Sequence, residues 1–170
     1  MTLPARRTPA LTASFAATAE AHLDDVYGYL VYLTRDRTLA EDLAAETFVK
    51  ALKLWKRFDP RRASARTWLC QIARTTALDW FRSEERRQRR EEAVARPDLT
   101  EEAMPEGLSP ELQLALASLS AGEREVIALR VLLELDGEEA ARVLGISPTA
   151  VSTRLSRALT KLEERMTVHV

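Results

Sequence analysis

Apolar residues recur every three or four positions along most of the chain, and nowhere do they settle into the two-residue rhythm of a half-buried strand. Phe15, Ala19, Leu23, Val26, Leu30 and Leu33 form one stripe and predict a helix over about 11–33. Asp36 to Thr38 read as a turn, with Thr38 and Glu41 spaced as a capping box. Ala44, Phe48, Ala51, Leu52 and Trp55 then predict a second helix. Phe58, Asp59 and Pro60 make a turn, because Pro60 restricts the residue before it. Ser64 stands where it can cap a third helix over about 65–90. Leu69, Ile72, Ala73 and Trp80 lie on one side of that helix, and Arg74, Thr75, Asp79 and Arg82 on the other.

The pattern resumes at Ser109-Pro110, a cap followed by proline at the first helical position. Leu112, Leu116 and Leu119 line that helix, and Ser120 with Glu123 opens another that carries Val126, Leu129, Arg130 and Leu133. Asp136 caps a short helix over 138–144, and Gly145 falls where a helix ends with positive φ. Ser147 and Pro148 start the last helix. Its apolar stripe is Val151, Leu155, Ala158, Leu159 and Leu162; its opposite face is Thr149, Ser152, Thr153, Ser156, Arg157 and Thr160. Two short helices, a glycine turn, small Ala140 and Ala141 at the crossing and a short-chain polar outer face read as a helix-turn-helix. Residues 91–108 hold Pro97, Pro105 and Gly107 with no sustained stripe, and read as a flexible linker. Residues 1–10 read as a disordered tail. The expected fold is all-α, with two small helical domains, 11–90 and 109–170, joined by the linker.

Charge sharpens this division. The 170 residues carry a net charge of −1, but unevenly. Residues 57–90 hold ten arginines against four acids, and residues 91–111 hold seven acids against Arg96 alone. Guanidinium groups suit phosphates and flat rings suit unstacked bases, so 57–90 reads as a nucleic-acid surface with Phe58 its best candidate for touching a base. Trp80, on the apolar stripe, reads as core. In the last helix the charged residues over 148–162 are Arg154, Arg157 and Lys161, all basic, as a helix entering the major groove requires. The single cysteine, Cys70, excludes an internal disulfide and fits a reducing cytosol. No apolar run approaches the roughly 20 residues of a membrane span, so no membrane insertion is expected. His22 and His169 stand far apart, and no metal spacing or phosphate-cradling glycine loop occurs. The residues therefore suggest neither an enzyme nor a cofactor.

In order and spacing these motifs resemble the small two-domain sigma factors of bacterial RNA polymerase, the extracytoplasmic-function (ECF) group. The likeness rests on Ala40-Glu-Asp-Leu-Ala-Ala-Glu-Thr-Phe, Arg57-Phe-Asp-Pro, Arg66-Thr-Trp-Leu and Ile72-Ala-Arg-Thr-Thr-Ala-Leu-Asp, followed by the helix-turn-helix within 119–165. The resemblance implies sigma region 2 over 11–90 and sigma region 4 over 109–170. It implies that Asp42, Leu43, Glu46, Thr47, Phe48 and Lys50 dock on the clamp coiled coil of core polymerase. Phe58, Arg61, Arg62, Arg66, Arg74, Thr75, Asp79 and Arg82 would meet the melted −10 promoter element. Thr149, Ser152, Thr153, Arg154, Ser156, Arg157 and Lys161 would meet the double-stranded −35 element. It further implies an anti-sigma partner, a cytoplasmic location at the nucleoid, and an acidic linker running toward the polymerase cleft. The chain departs from the family pattern at Ala45, where glutamine is frequent, at Thr75, where asparagine is frequent, at Ala63, usually glycine, and at Ser152, often basic. The competing expectation is a stand-alone helix-turn-helix regulator, which binds a palindromic duplex tightly without polymerase.

Overall fold

The computed structural model describes residues 8–91 and 107–167; the start of the tail, the linker residues 92–106 and the last three residues lie outside it. Among the described residues there are seven α-helices and no strand: α1 (Thr8–Thr34), α2 (Arg37–Leu54), α3 (Ala65–Glu91), α4 (Pro110–Ala117), α5 (Ala121–Ile127), α6 (Gly137–Leu144) and α7 (Pro148–Thr167). A 3₁₀ turn, Trp55–Arg57, extends α2, and a π turn, Ala128–Leu132, extends α5.

Local chemistry explains most boundaries. Arg35 takes a left-handed φ of 56° and reverses the chain after α1. The cap of α2 is then Asp36, not Thr38 as expected. Its backbone is extended and its carboxylate accepts the Leu39 N–H at 2.9 Å. The strongest side-chain acceptor at the reversal wins the orphan amide. Ser64 caps α3 by accepting the Thr67 N–H, and Ser109 caps α4 ahead of Pro110. Ser120 with Glu123 and Asp136 with Glu139 form complete capping boxes. The expected straight run to Leu133 is instead widened at the π turn, where Leu133 N–H donates to Ala128 O and Leu135 N–H to Leu129 O.

Helices α1, α2 and α3 pack on one another around Val26, Tyr29, Leu30, Leu43, Leu69 and Ala73, while α4–α7 enclose Leu116, Val126, Leu129, Leu135, Val151 and Ala158. Each buried leucine contributes about 1.5–3 kcal/mol relative to exposure. Alanines at the crossings (Ala40, Ala51, Ala73, Ala77 and Ala140, each without exposed surface) let the helix axes approach closely. Leu23, Leu52 and Leu159 break the expected stripes: each is about half exposed. The two groups also touch. α1 packs on α5 and the π turn, and α3 on α6, so their buried residues form one continuous core. The sequence reading had them as separate bodies.

Gly145 ends α6 with φ +66°, its N–H donating to Ala141 O. A Cβ there meets nothing within 4 Å, so the cost of adding one is purely backbone. Gly145→Ala is expected to lower stability by about 1–2 kcal/mol, read as a lower melting temperature by circular dichroism.

Candidate nucleic-acid interface

α7 and α6 form the expected helix-turn-helix. Val143, Leu144, Val151 and Ala158 are buried between them, which fixes the crossing and turns Thr149, Ser152, Thr153, Ser156 and Arg157 outward. Ser147 accepts the Ala150 N–H, so α7 starts cleanly with its N-terminus free for a phosphate. The three cations of α7 differ sharply. Arg157 is exposed and forms no ion pair among the described residues. Arg154 is half-buried and lies over Gly122, its Nη1 3.4 Å from where a Cβ would stand. Lys161 was expected to face DNA but donates to Glu123 Oε1 at 2.6 Å, a bond that holds the Glu123 carboxyl below its usual range. Lys161 therefore ties α7 to the cap of α5. A shallow cleft of about 540 Å³ joins Ser120, Ser147, Thr153, Arg154 and Arg157, a polar cradle of phosphate size.

On the N-terminal module the rings gather rather than spread. Phe58 stacks on Trp55 with centroids 5.0 Å apart and planes at 13°, Trp68 leans on both, and Phe15 meets Trp55 edge-on at 5.4 Å. Phe58 is thus half-buried in an aromatic cluster and not a free platform for a base, which corrects the expectation for it. Trp80 is partly buried against the core, with Phe81 edge-on to it.

The surrounding cations are mostly engaged. Arg61 grips Asp59 with two side-chain bonds and one backbone bond, which hold the Asp59 carboxyl below its usual range. Arg82 approaches Asp79 at 3.5 Å and Arg66 approaches Asp25 at 4.0 Å. Exposed pairs of this kind contribute little to stability and yield readily to a phosphate. Arg62 and Thr75 are open to solvent. Arg74 is different. It is half-buried against the C-terminal module, with Nε 2.7 Å from Glu125 Oε1, so it does not share the solvent face of Thr75, Asp79 and Arg82.

Between α2 and α3 lies a cleft of about 420 Å³, with Leu54, Trp68 and Ile72 as its apolar lining and Lys50, Lys53 and Thr75 as its polar one. Lys50, expected on the docking face, points this way, donating to Thr76 Oγ1 at 3.3 Å while pairing with Glu46 at 2.7 Å. Lys53 was missed in the sequence. The available signal was its place one turn beyond Lys50 on the same helix.

Of the remaining docking candidates, Asp42 and Glu46 are exposed and Phe48 is half-buried. Leu43 and Thr47 are core, at 1% and 0% exposure, so neither can touch a partner directly. Thr47 donates back to Leu43 O at 2.7 Å, which satisfies its hydroxyl inside. Phe48 opens onto a second cleft, between α1 and α2, with Leu23, Tyr27, Ala45 and the acids Asp24 and Glu41. Exposed Leu23, Val49 and Leu52 add apolar surface nearby. An apolar strip rimmed by carboxylates suits a basic amphipathic helix.

Cys70 is fully buried, and desolvation pushes its thiol up to about 12, so it packs and does not react. Among the described residues no group of His, Cys, Asp and Glu could hold a metal, and no helix is long and apolar enough to cross a membrane.

A helix-turn-helix module and a three-helix module with a basic, aromatic-lined face define a two-part helical DNA-binding protein. The comparisons sharpen that class. The family described as Sigma-70 region 2 matches residues 18–87, and Sigma-70, region 4 matches residues 109–162. The RNA polymerase sigma factor YlaC of Bacillus subtilis is 34% identical over 153 residues, which is 86% of this chain and 88% of YlaC. The ECF RNA polymerase sigma factor SigC of Mycobacterium tuberculosis is 35% identical over 151 residues, 82% of this chain and 76% of SigC. The sigma factor RpoE from Bartonella quintana, solved in complex with the anti-sigma factor NepR, matches with a TM-score of 0.78 at 25% identity, covering 91% of this chain and 98% of that one. The chain belongs to the ECF sigma factors of bacterial RNA polymerase. Its work is promoter recognition with the polymerase, and the stand-alone regulator is not favoured.

Proposed function

We propose that the chain docks on the clamp coiled coil of core polymerase through Asp42, Glu46, Phe48 and the adjoining apolar strip. From there it reads the melted −10 element with the cleft between α2 and α3, and the double-stranded −35 element with α7. The single observation that carries the docking assignment is the apolar strip at Leu23, Phe48 and Leu52, left open beside exposed carboxylates. The cleft between α2 and α3 has a hydrophobic ring at its side and two lysines at its rim, the chemistry of a pocket for an unstacked base and its phosphate. Arg62, Arg66, Thr75, Asp79, Arg82 and, on opening, Arg74 line the path of the strand. Unpairing costs a few kcal/mol per flipped base, offset by stacking and phosphate contacts. The chain itself catalyses no reaction. It works in the cytoplasm at the nucleoid, and an anti-sigma protein covers its polymerase-binding surfaces in the resting cell. The anti-sigma assignment draws on two structural relatives, RpoE with NepR and CnrH with the cytosolic domain of CnrY.

Run-off transcription on genomic fragments, with purified core polymerase with and without the chain, tests the reading. Discrete transcripts that need the chain are expected. Phe48→Ala is expected to fold normally, to lose most of its pull-down of core polymerase, and to lose run-off in proportion. A chain that never joins core enzyme yet grips duplex DNA firmly alone would reject the proposal.

A further inference from the structure

The polar stripe of α3 formed by Thr67, Gln71 and Arg74 faces the C-terminal module, and each member is tied to it. Glu125, 7% exposed, accepts from Arg74 Nε and from the Tyr29 hydroxyl, each at 2.7 Å. Glu139 accepts from Thr67 Oγ1 at 3.1 Å and Ser64 Oγ at 3.3 Å. Gln71 Nε2 donates to Arg142 O at 3.2 Å. Two carboxylates of the −35 module thus occupy hydrogen-bond donors beside the −10 surface, as phosphates would. Distance gives this a consequence. Promoter elements centred about 25 base pairs apart lie roughly 85 Å apart on straight duplex, at about 3.4 Å per step. Modules whose helices α3 and α6 are in direct contact cannot read both. Residues 92–109, if extended, reach at most about 60 Å, and the modules' own width adds to that reach.

We infer that Glu125 and Glu139 clasp α3 and hold the free chain closed, screening Arg74, and that this clasp must open for promoter reading. The inference rests on the sigma-factor assignment only for what Arg74 is screened from. On opening, Arg74 exchanges a carboxylate for nucleic acid. Tyr29 and Glu125 gain water in place of each other. Neither carboxylate belongs to the proposed DNA or polymerase surfaces, so removing their charge weakens the closed state without removing a contact of the open one.

The test uses the full chain with spin labels on Ala17→Cys in α1 and Glu163→Cys in α7, in a Cys70→Ala background, with and without Glu125→Gln/Glu139→Gln. The parent is expected to give one short, narrow interspin distance. The double variant is expected to lengthen it by more than a helix diameter, about 10 Å. Its affinity for a fluorescein-labelled random single-stranded oligonucleotide, without polymerase, is expected to rise about fivefold or more, because the competent fraction rises. A parent that is already open, a variant that stays closed, or an opened variant with unchanged affinity each overturns the inference. If the double variant loses helical signal, Tyr29→Phe/Gln71→Ala cuts the same clasp from the other side and is read by the same criteria. Failed run-off with normal distance changes removes the sigma-factor reading and leaves the clasp. Normal run-off with unchanged distances does the reverse.

Discussion

Leu43→Ala is expected to lower the stability of the chain by about 2–5 kcal/mol, while Glu46→Ala three residues on leaves it within about 0.5 kcal/mol. Leu43 is 1% exposed where α1, α2 and α3 meet, and its removal leaves a hole among side chains already in contact. Glu46 is exposed and pairs only with Lys50 on its own helix, an interaction worth a few tenths of a kcal/mol. The two changes separate core from docking face on one helix. Urea unfolding reads the first effect, and a pull-down of core polymerase reads the second. Leu43→Ala should act on binding only through the fraction folded, whereas Glu46→Ala should weaken binding at full helicity. If Leu43→Ala left stability unchanged, the packing of α2 described above would be wrong.

Arg157→Ala is expected to weaken holoenzyme binding at the −35 element by about 1–3 kcal/mol, roughly 5- to 150-fold at fixed salt. Three cations lie on α7, and the structure gives them different work. Lys161 holds Glu123, and Arg154 lies over Gly122. Arg157 alone of the three is both fully outward and unpaired among the described residues, free to make a bidentate contact with guanine. Its loss should also relax base preference at one position, as read by footprinting on an array of mutated promoters. Lys161→Ala should instead loosen the α5 cap and leave base preference intact. An unchanged −35 footprint in Arg157→Ala would sink the assignment of this face.

The helix-turn-helix was legible because its signals are local. Caps at Ser120, Asp136 and Ser147, the glycine at 145 and a stripe of large apolar residues each act within one or two turns. The buried side of α2 was harder to see. Ala40, Leu43, Ala44, Thr47 and Ala51 form it, at the 3.6-residue period, but four of the five are small or hydroxylated. Larger Phe48, Leu52 and Trp55 drew the apparent stripe around by about one position. That is why Leu43 and Thr47 were assigned outward. Phe58 was misjudged for a related reason: a ring in a turn looks free until Trp55 and Trp68 are folded beside it. The partners of Arg74 and Thr67 stand 51 and 72 residues further along the chain, beyond the reach of any periodicity. Domain contact of this kind leaves no trace in a single sequence.

The aromatic cluster has a practical consequence. All three tryptophans, Trp55, Trp68 and Trp80, belong to the N-terminal half, and Trp55 and Trp68 share its stacked rings. Intrinsic emission therefore reports on that half alone, while the far-ultraviolet signal comes from helices in both. Any gap between the two melting curves measures how far the halves come apart before either unravels.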